Sequence, residues 1–494
     1  MTARPTVSVI VASHGRPHMV PQVLTSLRYL TYPAFEVILV GDAPDMSAYE
    51  LSEGLLQSVH YAPCEIENIA TAKNTGLRAA RGEIVAFLDD DAVPEPDWLD
   101  KLIEAFADRK VGLAAGRVRG RDGVEWEFKG GWTNVAGEET PLASADLQPQ
   151  VLAPEATRFP ALSGTNCAFR RLELLAVGGF DESFAFHLEI TDAALRMARD
   201  GWHTGWVPLA EVHHASQENA ARGAQGEPKD PFQLGASTAY FAKRHLEEAE
   251  RSAALDHCRE RLRGDIDDHI RLGIRDEKRE ALLARLEEGM QEGMTRGPVL
   301  PLAATGLDRL ILPFGVRLPE TRLSLAVLSG HGVSRASEME VIARALVSRG
   351  HRVSFFDTQK RSRTKTVKFL DGLWVHQGFK ETALDLYRLA TGRPRPLPEV
   401  MRVAPKRAFD GVLRPSGWEL ALERETWQPL RTGVTECDLR CLLLRDKGDR
   451  NALFEDIRSE VKAALVYDPP NEIPIPAPPR PTPPSRRSAT VSSS

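Results

Sequence analysis

The chain has 494 residues, 42% of them apolar and 27% charged, with a formal net charge of -6. That length exceeds one ordinary hydrophobic core and predicts two or three domains. The charge balance is that of a globular protein and excludes the basic excess with which proteins attract nucleic acid. No run approaches the roughly 20 apolar residues of a membrane-spanning helix, so the expectation is a cytoplasmic protein that meets the inner face of a membrane only peripherally. The apolar run "VSVIVA" near the N-terminus is too short for a secretory leader and is read as a first strand. Cys64, Cys167, Cys258, Cys437 and Cys441 are scattered and odd in number, which points to reduced structural thiols rather than a disulfide framework or a metal cluster.

Strand-like runs then alternate with helical ones: "SVIVA", "EVILVGD", "EIVAFLDDD" and "VGLAAGRV" against "VPQVLTSLRYL", "NIATAKNTGLRAAR" and "PDWLDKLIEAFAD". This alternation predicts an α/β domain over residues 1–240, with a mainly parallel sheet flanked by helices and ligands at the strand C-termini. Residues 241–300 are rich in Glu, Arg, Ala and Leu at helical spacing and predict a helical connector. A second, smaller α/β domain is expected over 301–467, opening with "LSLAVLSGHGVSRASEMEVIARALVSRGHRVSFFD" and continuing with "FLDGLWVHQG" as a third strand. The basic "KRSRTK" at 360–365 reads as a solvated loop or an anionic-surface contact. The Pro- and Ser-rich tail, 468–494, has the composition of a disordered segment.

The chemistry concentrates at strand ends. "GEIVAFLDDDAVPEP" delivers Asp89, Asp90 and Asp91 at the end of a buried strand, three adjacent anions that repel unless a cation or donors offset them. A hard divalent cation is one remedy, since carboxylates bind Mg or Mn and leave coordination positions that phosphate oxygens fill. Acids ahead of a helix N-terminus are the plainer account. Asp42 ends "VILVGD" where a base or ribose acceptor would sit. Lys73, Asn74 and Arg78 lie on the helix before the acidic strand, and Ser163, Gly164 and Thr165 lead into Asn166, a pattern suited to close ligand approach. Glu189 and Asp192 share a helical face with Arg196 one turn on, as for a general base with a neighbour that fixes its geometry, or for an internal salt bridge. His213 and His214 end a further strand and offer a metal or phosphate contact.

Together "SVIVASHGRP", "VILVGD", "AKNTGLRAARGEIVAFLDDDAVPEPDWL", "SGTNCAFRR", "GGFDESF", "EITDAALRMARDGW" and "VHHAS", in that order across Val7 to Ser216, resemble the family-2 inverting glycosyltransferases with the GT-A fold. The resemblance implies a nucleoside diphosphate sugar at the C-terminal edge of the sheet, with Asp42 near the base. It implies Asp89 and Asp91 as a metal-diphosphate pair, Asp90 as a ribose contact, and His214 ahead of His213 as a further metal or phosphate contact. Lys73, Asn74, Gly164 and Asn166 fall in the nucleotide-sugar-binding motifs. Glu189, with Asp192 second, is implied as the base, although Ile190 stands where many members carry a second acid. The implied acceptor is a glycan or glycolipid, the implied process cell-surface polysaccharide or glycoconjugate synthesis, and nucleic acid is not an expected partner. The segment from Leu323 to Asp357 weakly resembles the opening of a GT-B-type domain. The rival readings are a sugar-nucleotide-binding or scaffold protein that kept the fold without the chemistry, and a nucleotidyltransferase, for which "SHGRP" is a poor glycine-rich loop.

Overall fold

A computed structural model of the chain describes residues 4–43, 46–49, 51–142, 146–218, 223, 227–271, 279–302, 311, 313–315, 322–329, 333–357, 365–379, 406–407, 409–415, 439–443, 456–457 and 459–460. Residues 360–364 of the basic stretch, Cys437 and the 468–494 tail lie outside them. Cys64, Cys167 and Cys258 are free thiols.

The first stretch alternates strictly: β1 (Val7–Ser13), α1 (Val20–Leu27), β2 (Phe35–Gly41), α2 (Glu53–Ser58), β3 (Val59–Pro63), α3 (Ile69–Ala79) and β4 (Ile84–Asp89). The four strands are parallel in the order β4, β1, β2, β3. Helical crossovers cover both faces of such a sheet, which is why its strands are continuous apolar runs. Val7, Val9 and Val11 of β1 pack with Val23 and Leu27 of α1, while Ile10 packs with Ala70 and Leu77 of α3. Register sets the geometry of the sheet edge. Ala12 of β1 pairs with Asp89 of β4, and Ser13 pairs with Gly41 of β2. The three strands therefore end level, and the loop after Ser13, Asp42 and the Asp90–Asp91 turn emerge along one edge.

The sheet then widens through β5 (Ala92–Pro94), α4 (Trp98–Glu104), β6 (Val111–Arg119), β7 (Trp126–Phe128), β8 (Gly131–Asn134), β9 (Glu139–Pro141), β10 (Gln150–Leu152), β11 (Arg158–Pro160) and β12 (Cys167–Arg170). After α5 (Arg171–Ala176) and α6 (Glu189–Arg199) comes the long β13 (His203–His214). β12 inserts antiparallel between β4 and β6, β13 runs parallel to β6, and the short β5 pairs antiparallel with the end of β13. β8, β9 and β11 form a separate small antiparallel sheet.

Three helices follow: α7 (Phe232–His245), α8 (Glu248–Arg271) and α9 (Arg279–Gly293). They are more than a charged connector. Tyr240 and Phe241 of α7 join the core under the main sheet. Cys258, Leu262 and Ile266 of α8, at i, i+4 and i+8, bury against Leu282, Leu286 and Met290 of α9. α7 and α9 approach backbone to backbone, since a Cβ on Gly289 or Gly293 would meet Phe232 O at 2.0 Å or Ala236 O at 2.1 Å.

The second sheet comprises β14 (Ser324–Leu328), β15 (Arg352–Asp357), β16 (Thr366–Leu370), β17 (Leu373–Gln377), β18 (Gly411–Pro415) and β19 (Leu439–Leu443), with α10 (Val333–Ser348) between β14 and β15. Its order is β16-β17-β15-β14-β18-β19. The sequence "FLDGLWVHQG", expected as one strand, is the turn and second arm of the β16–β17 hairpin. Asp371 (φ 49°) and Gly372 (φ 84°) make a two-residue turn with both φ positive, the geometry for which Asp-Gly is favoured.

Asp192 anchors α6. It receives hydrogen bonds from Arg196 Nε (2.8 Å) and His245 Nε2 (2.8 Å) and pairs with Arg244 (3.2 Å). Burial pushes its carboxyl up, but His245, Arg196 and Arg244 outweigh that and hold it below the ordinary carboxylate range. Asp192→Ala should lower the unfolding free energy at pH 7 by about 3–5 kcal/mol, because it leaves buried cations uncompensated. Because the folded-state value is depressed, this contribution is complete above the unfolded carboxylate value near about 4 and is lost as pH falls through the folded value. Denaturant titration of both proteins should show the gap at pH 7 and its narrowing in acid.

Candidate functional site

Asp89 closes β4, and Asp90 and Asp91 form the turn into β5. Asp90 turns inward: Ser13 Oγ donates to its Oδ2 (2.7 Å) and Arg16 Nη2 to its Oδ1 (2.5 Å). Burial pushes its carboxyl up to about 7, against the pull of Arg16. Both Asp90 oxygens are thus engaged within the protein, and 1% of its surface is exposed. Its work is to hold the loop after β1, which also carries Gly15 (φ 66°), whose N–H donates to Asp42 Oδ2 at 3.0 Å. Asp42, its side chain 29% exposed, therefore stands at this edge with open surface.

Asp91 receives a hydrogen bond from the backbone N–H of Gln217 on Oδ2 (2.8 Å) and lies 3.4 Å from Arg16 Nη1. Its Oδ1 is buried and accepts no hydrogen bond among the described residues, although His214 Nε2 is 3.2 Å away. His214 Nε2 also lies 3.7 Å from Asp89 Oδ2, and its Nδ1 meets Glu127 Oε1 at 2.9 Å. Burial pushes the His214 imidazole down, but the carboxylates of Asp91, Glu127 and Asp89 around it win and raise it to about 10. The same contact, with Arg16, brings Asp91 down to about 2 against the upward push of burial.

Ligand atoms of Asp89, Asp91 and His214 lie within 4.8 Å of one another. The donor set suits a divalent cation: two hard carboxylates, one of them with a bare buried oxygen, and an imidazole whose second nitrogen is fixed by a carboxylate. Arg16 and Glu127 were not assigned roles from sequence. Arg16 was visible in "SHGRP", whereas nothing in the local sequence ties Glu127 to a histidine 87 positions away.

Beside this cluster lies a buried ion pair, Lys73 Nζ to Glu189 Oε1 at 2.6 Å. Burial raises the Glu189 carboxyl, and Lys73 outweighs it, so Glu189 stays ionised. Lys73 is raised by Glu189 and then Asp89 against the downward push of burial. His187 and Leu188, both at φ 69°, turn the chain abruptly into α6 just before Glu189. Two successive non-glycine residues in the left-handed region are uncommon and cost about 1–3 kcal/mol each. The segment 163–165 touches both groups. Thr165 Oγ1 accepts from Asp89 N (3.3 Å), and a Cβ on Gly164 would lie 3.5 Å from Lys73 Nζ and 3.9 Å from Glu189 Oε1.

Two expected ligand-binding residues are structural. Asn166 Nδ2 donates to Arg117 O and Ala210 O, each at 2.8 Å, and its Oδ1 accepts from Trp98 Nε1 at 2.8 Å, tying β6, β13 and α4 together. Asn74 bonds both backbone groups of Phe180 and the Glu182 carboxylate. Neither has any exposed surface. Asp192, the second candidate base, is occupied by Arg196, Arg244 and His245, and Ile190 beside Glu189 is 4% exposed. His213 is engaged by Glu95 at 2.9 Å rather than by the acidic turn.

Residues 8–172 match the family described as Glycosyl transferase family 2. The pre-mycofactocin glycosyltransferase of Mycobacterium tuberculosis is 30% identical over 219 residues, 42% of this chain and 42% of that protein, so the chain spans less than half of that relative. The succinoglycan biosynthesis protein ExoM of Rhizobium meliloti is 31% identical over 226 residues, 44% of this chain and 68% of ExoM. Among solved structures, a mannosyltransferase from Pyrobaculum calidifontis in complex with GDP-Man and Mn2+ superposes at a TM-score of 0.36 and 19% identity, covering 59% of this chain and 85% of that one. The β1-to-β13 motifs, the mainly parallel α/β sheet that carries them and the span shared with ExoM agree, and the chain belongs to glycosyl transferase family 2.

Proposed function

We propose that the chain transfers a sugar, with inversion, from a nucleoside diphosphate sugar to a hydroxyl of a glycan or glycolipid acceptor, in polysaccharide or glycoconjugate synthesis. The observation that carries this reading is the segment 163–165. Thr165 meets Asp89 of the Asp89–Asp91–His214 cluster and Gly164 lies beside the Lys73–Glu189 pair, an arrangement that suits a diphosphate seat next to a carboxylate base. Relatedness to ExoM, a protein named for succinoglycan biosynthesis, supports the process. Among the described residues no helix is long and apolar enough to cross a membrane.

In this reading Asp42 reads the base, and the diphosphate lies against Asp89, Asp91 and His214. Mg2+ or Mn2+ bound there would offset the charge that develops on the leaving diphosphate. Glu189, kept ionised by Lys73, accepts the acceptor hydroxyl's proton as its oxygen attacks the anomeric carbon from the face opposite the diphosphate. Lys73 makes Glu189 a weak base, suited to a proton that becomes acidic late in the displacement. Asp192 is the anchor of α6 and takes no proton. A second reading, binding without chemistry, is favoured by buried Ile190 at the place of the second acid.

Calorimetric titration with UDP, GDP and dTDP, with and without Mn2+, should show metal-dependent binding of one nucleotide, and Asp91→Ala should weaken it at least about tenfold. Glu189→Gln should bind that nucleotide within about twofold of the parent and lose about 10²–10⁴-fold in turnover of the matching nucleotide sugar. Normal turnover by Glu189→Gln removes Glu189 as the base. Binding by the parent protein with neither transfer nor donor hydrolysis establishes the second reading.

A further inference from the structure

The second sheet is docked where it bears on the acidic turn. Side chains alternate along β13, so Glu211 and His213 share one side of the strand and Val212 and His214 the other. His214 turns to Asp89 and Asp91, whereas Glu211 and His213 meet residues of the six-stranded unit. His213 Nε2 contacts Glu95 Oε1 (2.9 Å), and the His213 ring lies 4.8 Å from the Trp374 ring. Glu95 in turn takes both arms of Arg407, from Nε at 2.9 Å and from Nη2 at 3.0 Å. The Arg407 guanidinium lies 4.1 Å over Trp374 of β17, and its Nη1 reaches Ser354 Oγ (2.9 Å) and His376 Nε2 (2.7 Å). Lys406 pairs with Glu211, whose other oxygen accepts from Arg119 Nε at 2.9 Å.

All of these side chains are buried. The backbone completes a clamp: His213 pairs with Val93 and His214 with Ala92, Glu95 N donates to Glu211 O (3.0 Å), and Ala215 N donates to Asp91 O (2.9 Å). Glu95 and His213 thus flank the Asp91-to-β5 turn, and the charge that satisfies Glu95 comes from a residue 312 positions away.

We infer that Arg407, acting through Glu95 and His213, is a positioning residue for the cation site, fixing β5 and the end of β13 so that His214 stands against Asp89 and Asp91. The six-stranded unit is in this respect a part of the transferase site. A bidentate buried arginine suits the task because its planar fork fixes the orientation of the carboxylate as well as neutralising it. The inference rests on the proposed reading of Asp89, Asp91 and His214 as a cation site, and the test separates the two.

The full-length protein is titrated with Mn2+ alone by calorimetry, with thermal unfolding measured in parallel. The parent should bind Mn2+ and His214→Ala should not; absence of binding by the parent, or equal binding by His214→Ala, overturns the cation-site reading itself. Given that binding, Arg407→Met should weaken Mn2+ affinity by about threefold to thirtyfold, the range for a residue that acts on a site without touching its ligand. Arg407→Lys, which keeps the charge and loses the fork, should fall between the two and serves as the readout if the Met protein does not fold. Gln22→Ala removes another contact between the two units, from Gln22 Nε2 to Phe369 O (2.8 Å), and should leave Mn2+ affinity unchanged. If folded Arg407 variants bind Mn2+ within twofold of the parent while melting at lower temperature, Arg407 is only structural and the inference falls. An equal loss of affinity in Gln22→Ala overturns it as well, by showing that no specific route through Glu95 exists.

Discussion

Three carboxylates at the end of one buried strand are the constraint around which this protein is organised. Two like charges 4 Å apart repel by about 4 kcal/mol at an effective dielectric constant of 20, so Asp89, Asp90 and Asp91 require cations from elsewhere in the chain. Three elements supply them. Arg16 comes from the loop after β1, Lys73 from α3 and His214 from the end of β13. The three carboxylates take different characters from their partners. Asp90 is buried among donors and shifted up to about 7, Asp91 is held at about 2, and Asp89 keeps open surface beside them. Equivalent residues in sequence thereby become a loop anchor and two members of the Asp89–Asp91–His214 cluster.

The same economy governs the proposed base. Glu189 is held by a cation that also feels Asp89, so the acidic turn and the base share Lys73. This coupling, together with Ile190 where a second acid is common, distinguishes the site from the pattern its sequence motifs suggest. Asp192, one turn along the same helix, is drawn to Arg196, Arg244 and His245 and serves the packing of α6 against α7. Two carboxylates with nearly the same acidity in water are separated by which cations surround them.

β13 is one of the elements through which the two units meet. A strand has two sides, and here one carries His214 towards the acidic turn while the other carries Glu211 and His213 towards Arg407, Lys406 and Trp374. Around these charges lies an apolar contact in which Tyr29 and Val93 of the first unit pack with Val367, Phe369 and Trp374 of the second. Buried ion pairs of this kind add little net stability, because desolvation cancels most of the attraction, but they define geometry strongly. That property suits a joint beside the Asp89–Asp91–His214 cluster.

Much of the architecture was legible from the sequence because local rules govern it. Alternating strand and helix patterns, apolar runs buried on both faces, and level strand ends follow from periodicities of 2 and 3.6 and from parallel pairing. The resemblance carried by motif order implied His214 beside the acidic run, and the structure brings Asp89, Asp91 and His214 together, with His213 turned to Glu95. The run "FLDGLWVHQG" read as one strand, whereas the chain folds back at Asp371-Gly372 into two. What the sequence by itself determined is therefore the fold class, the edge at which chemistry gathers, and the residue types available there. Only the tertiary structure decided which polar side chains keep open surface at that edge and which are engaged by the protein: Asp90 by Ser13 and Arg16, Asn74 by Phe180, Asn166 by Trp98, and Glu95 by an arginine 312 positions away. The physical reason is that the protonation and availability of a carboxylate are set by burial and by charges within a few ångströms, and those neighbours are brought in by chain segments that no local pattern connects.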